Sequence, residues 1–288
     1  MKKIILLLGI IVAGQGIARA AMPHPRIENV WYNSTSFQPN DSHTFRGTFF
    51  AWDVNGVILI NDKSWLNGMG RMYNEQYSWS EIYSALSKTW GLWQEKKRLK
   101  KLGDPRGYVW DALLYEVEQT DPDFIKMLRH FTVKANSLNY QVAALLQELA
   151  RDGHHHVIIS NIGAFVLAEQ IRFFKEQLDT GSTLSLDQQQ LMSFTLWILS
   201  NHTNNVISGP ENGWGFKPQP LLYQLSLERN PHAHERLKIF IDDKPKNIIA
   251  ALQNGFDVGI LYQDAYQLRQ ALAELSHGRL CITDMHVL

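Results

Sequence analysis

Short apolar runs that stop abruptly at a polar residue recur along this chain, and each predicts a buried strand with chemistry at its carboxyl end. The first covers 46–52 and stops at Asp53, followed by a turn at Asn55-Gly56 and a second apolar stretch over 57–60. Val157-Ile158-Ile159 stops at Ser160, and the run over 237–241 stops at Asp242-Asp243. Residues 258–262 form the last such run, and 205–207 a short one. Helical periodicity fills the intervals. Val142, Leu145, Leu146 and Leu149 repeat at i, i+3, i+4 and i+7, with Gly153 placed to stop the helix. Further helices are predicted over 164–177 and 186–199, and a third opens at Pro245, packs through Ile248, Ala251 and Leu252, and closes at Gly255. Strands alternating with helices imply right-handed crossovers, hence an α/β fold: a Rossmann-like doubly wound parallel sheet with helices on both faces.

The stretch 64–136 breaks this alternation. Ile82, Leu86, Trp90 and Trp93 fall at helix-compatible spacing, and Pro105, Gly107, Asp121 and Pro122 divide the segment into several helices. It reads as an inserted helical cap domain, leaving 45–63 and 137–288 as the core domain. At the start of the chain, Lys2 and Lys3 precede an apolar run over 4–13, and Ala18-Arg19-Ala20 has the form of a cleavage site. Residues 1–20 are therefore expected to be a signal peptide cut after Ala20, with a periplasmic or secreted product and no stable membrane insertion afterwards. The run is shorter than the roughly 20 residues a spanning helix needs. Residues 21–44, with Pro23, Pro25 and Pro39, are expected to form an irregular arm.

Composition narrows the possibilities further. The 288 residues carry 28 basic and 28 acidic side chains, so no broad basic face for nucleic acid is expected. Cys281 is the single cysteine, which excludes an intramolecular disulfide and reads as a packed core residue. His154, His155 and His156 are consecutive, and neighbours on a strand point to opposite sides, so a solvated strand entrance is expected rather than a metal site. The aromatic residues of the insertion read as packed helix faces, and the polar run from Asp187 to Gln190 as a solvated first helical turn. The sequons at Asn33 and Asn201 have meaning only in a eukaryotic secretory pathway.

In a doubly wound sheet the carboxyl ends of the strands line one crevice. Asp53, Ser160 with Asn161, and Asp242 with Asp243 are thus expected to converge, joined by Lys217 from the loop Gly215-Phe216-Lys217-Pro218. Clustered carboxylates require a compensating cation, and hard oxygen ligands suit Mg²⁺. Mg²⁺ and a lysine would neutralise a phosphoryl group, Ser160 would bond one of its oxygens, and Asp53 would attack phosphorus to form an aspartyl-phosphate.

These segments resemble the four motifs of the haloacid dehalogenase (HAD)-like hydrolase superfamily. Residues 50–58 resemble motif I, 157–161 motif II, 215–218 motif III, and 239–243 with Asn247 motif IV. The helical insertion falls where the C1-capped subgroup carries its cap. The resemblance implies a Mg²⁺-dependent phosphatase of a small phosphorylated metabolite. Asp53 would be nucleophile and metal ligand, the Asn55 carbonyl a second ligand, and Ser160, Asn161 and Lys217 the phosphate-binding set. Asp243 would be the direct metal ligand, with Asp242 holding a metal-bound water or serving as a ligand itself.

Position 55 departs from the phosphatase pattern, which places an acid/base Asp two residues after the nucleophile. Asn55 cannot exchange a proton near neutral pH, and such help is typically worth about 10²–10⁴-fold in rate. Two alternatives follow from this departure: a dehalogenase-like hydrolase using the same Asp53, and a HAD-fold binding protein with impaired turnover.

Overall fold

A computed structural model describes residues 30–32, 45, 47–61, 77–180 and 184–276. The expected signal peptide, most of the arm, the first part of the insertion (64–76) and Cys281 lie outside them. The elements in chain order are β1 (Val30–Tyr32), β2 (Phe49–Trp52), β3 (Leu59–Asn61), α1 (Trp79–Lys101), α2 (Trp110–Glu118), α3 (Pro122–Lys134), β4 (Asn136–Leu138), α4 (Tyr140–Arg151), β5 (His155–Gly163) and α5 (Ala164–Asp179). They continue with α6 (Leu186–Leu199), β6 (Val206–Ser208), α7 (Pro220–Arg229), β7 (Lys238–Asp242), α8 (Pro245–Gln253), β8 (Val258–Leu261) and α9 (Ala265–Leu275).

Six strands form one sheet in the order β1-β8-β7-β2-β5-β6, parallel throughout except for β1. The sheet buries both faces because its strands alternate between two cores. Phe50, Trp52, Ile158, Ile239 and Ile241 pack one way, against apolar residues of α4, α5, α6 and α9. Phe49, Ala51, Val157, Ile159 and Phe240 pack the other way, against α7 and α8. With no polar face to expose, these strands read as continuous apolar runs.

Helices α1 to α3 lie between β3 and β4, which pair with each other as an antiparallel ribbon beside the main sheet. The architecture is an α/β Rossmann-like core with an inserted helical cap. Among the described residues, no helix is long and apolar enough to cross a membrane.

Three expectations need correction. Val30–Tyr32, read as irregular arm, is an edge strand paired antiparallel to β8, with Trp31 opposite Gly259. Its pairing covers an edge of β8 that would otherwise stay open. Secondly, the histidine run is not a solvated entrance. His155 alone of the three is exposed. His154 packs edge-on to Phe45 and Phe50, and His156 stacks on Phe50 while its Nδ1 accepts a hydrogen bond from Trp52 Nε1 at 3.0 Å. Thirdly, the helices α7 and α9 are not among those the hydrophobic pattern predicts. One has Pro220 at its first position, and the other is capped by Asp264, which accepts from Gln267 N.

Candidate active site

Strand register brings the polar residues together. On β2, Trp52 lies opposite Ile158 of β5 and Ile241 of β7, so Asp53 emerges level with the ends of both neighbours. Asp53 is 3% exposed. Its Oδ1 accepts from Val54 N at 2.8 Å and Ser160 Oγ at 2.8 Å, and sits 2.8 Å from Lys217 Nζ. Among the described residues, Oδ2 has no protein hydrogen-bond donor.

Lys217 is buried and bridges two carboxylates, its Nζ also donating to Asp242 Oδ2 at 2.6 Å. Asn161 fixes the backbone of this lysine from both sides. Its Nδ2 donates to the Lys217 carbonyl at 3.0 Å, and its Oδ1 accepts from Lys217 N at 2.6 Å. Asn161 therefore acts through Lys217 here rather than pointing at a ligand alone.

Asp242 is fully buried, and its two oxygens are occupied. Oδ1 accepts from Lys244 N at 2.8 Å and Asn247 Nδ2 at 2.9 Å, while Oδ2 takes the Lys217 ammonium. Burial pushes the Asp242 pKa well above the ordinary carboxylate range, against the pull of Lys217, and the Asp53 charge adds to the rise. Asp243 is more open. Its Oδ1 pairs with Lys244 Nζ at 3.0 Å, and its Oδ2 leans over Gly56 so closely that a Cβ there would come within 2.7 Å. Gly56 has φ +91°, so the turn after Asp53 needs glycine both for its backbone and for this approach. Burial works against the charge of Lys244, but Asp243, Asp53 and Asp242 together raise its pKa.

Asp53, Asp242 and Asp243 each offer an oxygen within 4.8 Å of the others. A hard divalent cation fits this donor set, and the close approach of Asp243 to the Asp53 turn aims a second carboxylate at the same point. Because Asp242 spends its lone pairs on Lys217, Lys244 and Asn247, Asp243 is the freer of the two for direct ligation. Asn55 is exposed at the mouth of the turn and bridges to Leu59.

The inserted helices meet the core at the start of α5 and beside Lys217, through contacts that no local pattern in the sequence announces. Asp111 of α2 is buried, and its Oδ2 accepts from Phe165 N at 3.0 Å and Val166 N at 3.1 Å, capping α5 from another element. Gly163 is compulsory there, since a Cβ would overlap Asp111 Oδ2 at 2.0 Å. Burial raises the Asp111 pKa despite those two bonds. Tyr108 stacks on Phe216, the residue before Lys217, with ring centroids 4.1 Å apart, and Tyr115 stacks on Phe165 at 5.6 Å. The insertion's aromatics are thus partly packing between helices and partly a contact from cap to core.

No protein-family model matches the chain, and no curated protein matches it. Among solved structures it is similar to a hydrolase from Streptococcus pneumoniae at 16% identity, covering 79% of this chain and 98% of that one, with a TM-score of 0.38. It is also similar, at 12% identity and a TM-score of 0.41, to a HAD family enzyme from Bacteroides thetaiotaomicron, covering 75% of this chain and 94% of that one. That enzyme is an aspartate-to-alanine mutant in complex with magnesium and inorganic phosphate.

Proposed function

We propose that this chain is an exported, Mg²⁺-dependent phosphatase of small phosphate monoesters that works through an aspartyl-phosphate on Asp53. One observation carries the reading: the buried Asp53 carboxylate accepts from Ser160 Oγ and pairs with Lys217 Nζ through a single oxygen, beside Asp242 and Asp243. Two donors converging on the nucleophile's own oxygen are also placed to receive the equatorial oxygens of a phosphoryl group bound next to it. Asp53, Asp243 and the Asn55 carbonyl would hold Mg²⁺, which when bound neutralises the carboxylates and the phosphoryl charge.

Asp53 attacks phosphorus, the bond from phosphorus to the ester oxygen breaks, and the alcohol leaves as its alkoxide. A proton reaches that oxygen from water, since Asn55 has none to give. In the second step water attacks the phosphorus of the acyl-phosphate, phosphate departs, and the Asp53 carboxylate is regenerated. Ser160 and Lys217 bind the transferred group throughout, and Asn161 positions Lys217. Asp242 acts through Lys217 by holding its ammonium in place. The occupied oxygens of Asp242 favour a positioning role over direct ligation. The two further carboxylates also favour phosphoryl chemistry over halide displacement, which needs no acidic metal site.

Purified protein is assayed for phosphate release from a panel of monoesters with and without Mg²⁺, beside Asp53→Asn. Release that requires both Mg²⁺ and Asp53 is expected. Equal rates in wild type and variant would remove the nucleophile assignment.

A further inference from the structure

The far end of the sheet carries a second constellation that the chemistry at Asp53 does not use. Phe49, the first residue of β2, and His155, the first of β5, lie opposite each other. Asp53 stands at the other end of β2, roughly 13 Å from Phe49 at about 3.3 Å per strand residue. Between these strand starts and the C-terminal end of α7 opens a cavity of about 250 Å³. Arg229, Arg236, His155 and His232 line it, with Asn204 and Asn230 beside them, and no carboxylate does. Its volume falls below the roughly 300–1,000 Å³ of sites for drug-sized ligands, so a small ligand fits.

Both arginines are set in place by the backbone. Arg229, the last residue of α7, donates from Nη1 to the Asn205 carbonyl at 2.7 Å. Arg236 donates from Nη1 to the Gly47 carbonyl at 2.7 Å. Gly47 has φ +76°, and a Cβ there would come within 2.8 Å of Arg236 Nη1, so the turn before β2 is shaped to seat this guanidinium. Asn230 fixes the wall between the two, donating from Nδ2 to the carbonyls of Asn204 at 3.1 Å and Ser226 at 2.8 Å. Each guanidinium keeps further N–H donors, and among the described residues neither pairs with a carboxylate. Burial, then Arg236 and His232, hold the His155 pKa below its ordinary value, and no acid offsets them. Cations gathered without a counterion are unfavourable, and a bound anion relieves the cost.

We infer that this cavity binds a phosphate-type dianion, inorganic phosphate or the phosphate end of a small monoester, between the Arg229 and Arg236 guanidiniums, with His155 and His232 bonding its remaining oxygens. Two arginine forks and two imidazoles supply donors from several directions. That arrangement suits a doubly charged tetrahedral group better than a planar carboxylate with a single charge. The site is separate from the reaction at Asp53 and stands or falls without it. A ligand held there also ties the starts of β2 and β5 to the segment 229–236.

The imidazole NMR signals of His155 and His232 report on this cavity. Purified protein is titrated without Mg²⁺, at fixed pH and ionic strength, with inorganic phosphate, methylphosphonate or acetate. Saturable shifts of both signals are expected with phosphate, methylphosphonate or both, and acetate is expected to bind about tenfold or more weakly. Saturation by phosphate alone assigns the free ion, and saturation by methylphosphonate assigns an organic phosphate; each upholds the inference. Arg236→Gln is expected to weaken binding about tenfold or more, as loss of a charge-assisted hydrogen bond implies. His232→Glu puts a carboxylate at an exposed position of the cavity wall and is expected to abolish saturation of the His155 signal. A loss of folding in Arg236→Gln, read from its melting curve, leaves His232→Glu to decide. A phosphate at Asp53 lies at the other end of the sheet and depends on neither residue. Shifts that rise without saturating, equal affinity for acetate, or unchanged affinity in either folded variant would overturn the inference.

Discussion

Replacing Lys217 with methionine removes the cation shared by two buried carboxylates while keeping a side chain of similar length. The Lys217 side chain is almost wholly buried, and so are the side chains of its partners Asp53 and Asp242, at 2.8 Å and 2.6 Å. Removing one partner from a buried ion pair typically costs about 3–5 kcal/mol, because the remaining charge is left without compensation. In a protein of this size each kcal/mol shifts the melting temperature by about 2–4 °C, so a fall of about 10 °C is expected at pH 7.5. The sign with pH follows from Asp242. Burial already raises its pKa against the pull of Lys217, and removing the lysine raises it further. The folded variant then holds a proton that the unfolded chain releases, so its deficit shrinks as pH falls toward the raised folded pKa. Added Mg²⁺ should return part of the loss by binding the folded state. Differential scanning fluorimetry at pH 7.5 and 5.5, with and without Mg²⁺, measures all of this. A variant within about 2 °C of wild type at pH 7.5 would refute the buried-pair account, a shift below what even 1 kcal/mol gives.

Other outcomes follow from the same geometry. Asn55→Asp restores an acid at the mouth of the Asp53 turn and should raise turnover toward the roughly 10²–10⁴-fold that acid–base help provides; an unchanged kcat would show that protonation of the leaving group is not limiting. Burial depresses the His156 pKa to about 3, so its neutral form gives full stability above about pH 6.5. Below that, the unfolded chain takes up a proton the folded one refuses, costing up to about 1.4 kcal/mol per pH unit. His156→Phe should flatten the fall of the urea midpoint between pH 6.5 and 5.5, and an identical slope would contradict the assignment. Asp111→Ala should speed hydrogen exchange at the Phe165 and Val166 amides and lower stability by about 0.5–2 kcal/mol, the usual worth of a helix cap. Unchanged exchange at those two amides would show that Asp111 does not hold the cap to α5.

The central strands and the residues at their ends were legible because an apolar run that stops at an Asp or Ser is a local signal. Asp53, Ser160 and Asp242 converge as the alternation of strand and helix implies, and Lys217 joins them from its loop. The pattern also separated Asp242 from Asp243 only by resemblance, whereas the hydrogen bonds of Lys244 and Asn247 show why the two differ. What stayed hidden depends on contacts distant in sequence. Nothing near Asp111 shows that it caps a helix some 50 residues away, since an acid in a first turn already satisfies its own helix. The histidine run looked solvated because its burial comes from Phe45, Phe50 and Trp52, which lie about 100 residues earlier. The short β1 has too few residues for periodicity to register and exists through pairing with β8.

Trapping the covalent intermediate tests the role of Asp53 most directly. Protein turning over a phosphate ester with Mg²⁺ is quenched in denaturant, reduced with borohydride and digested for peptide mass spectrometry. An aspartyl-phosphate is reduced to homoserine, so conversion at position 53 is predicted, dependent on both ester and Mg²⁺ and absent in Asp53→Asn. Conversion at another aspartate, or phosphate release with Asp53 unmodified at every quench time, would contradict the account.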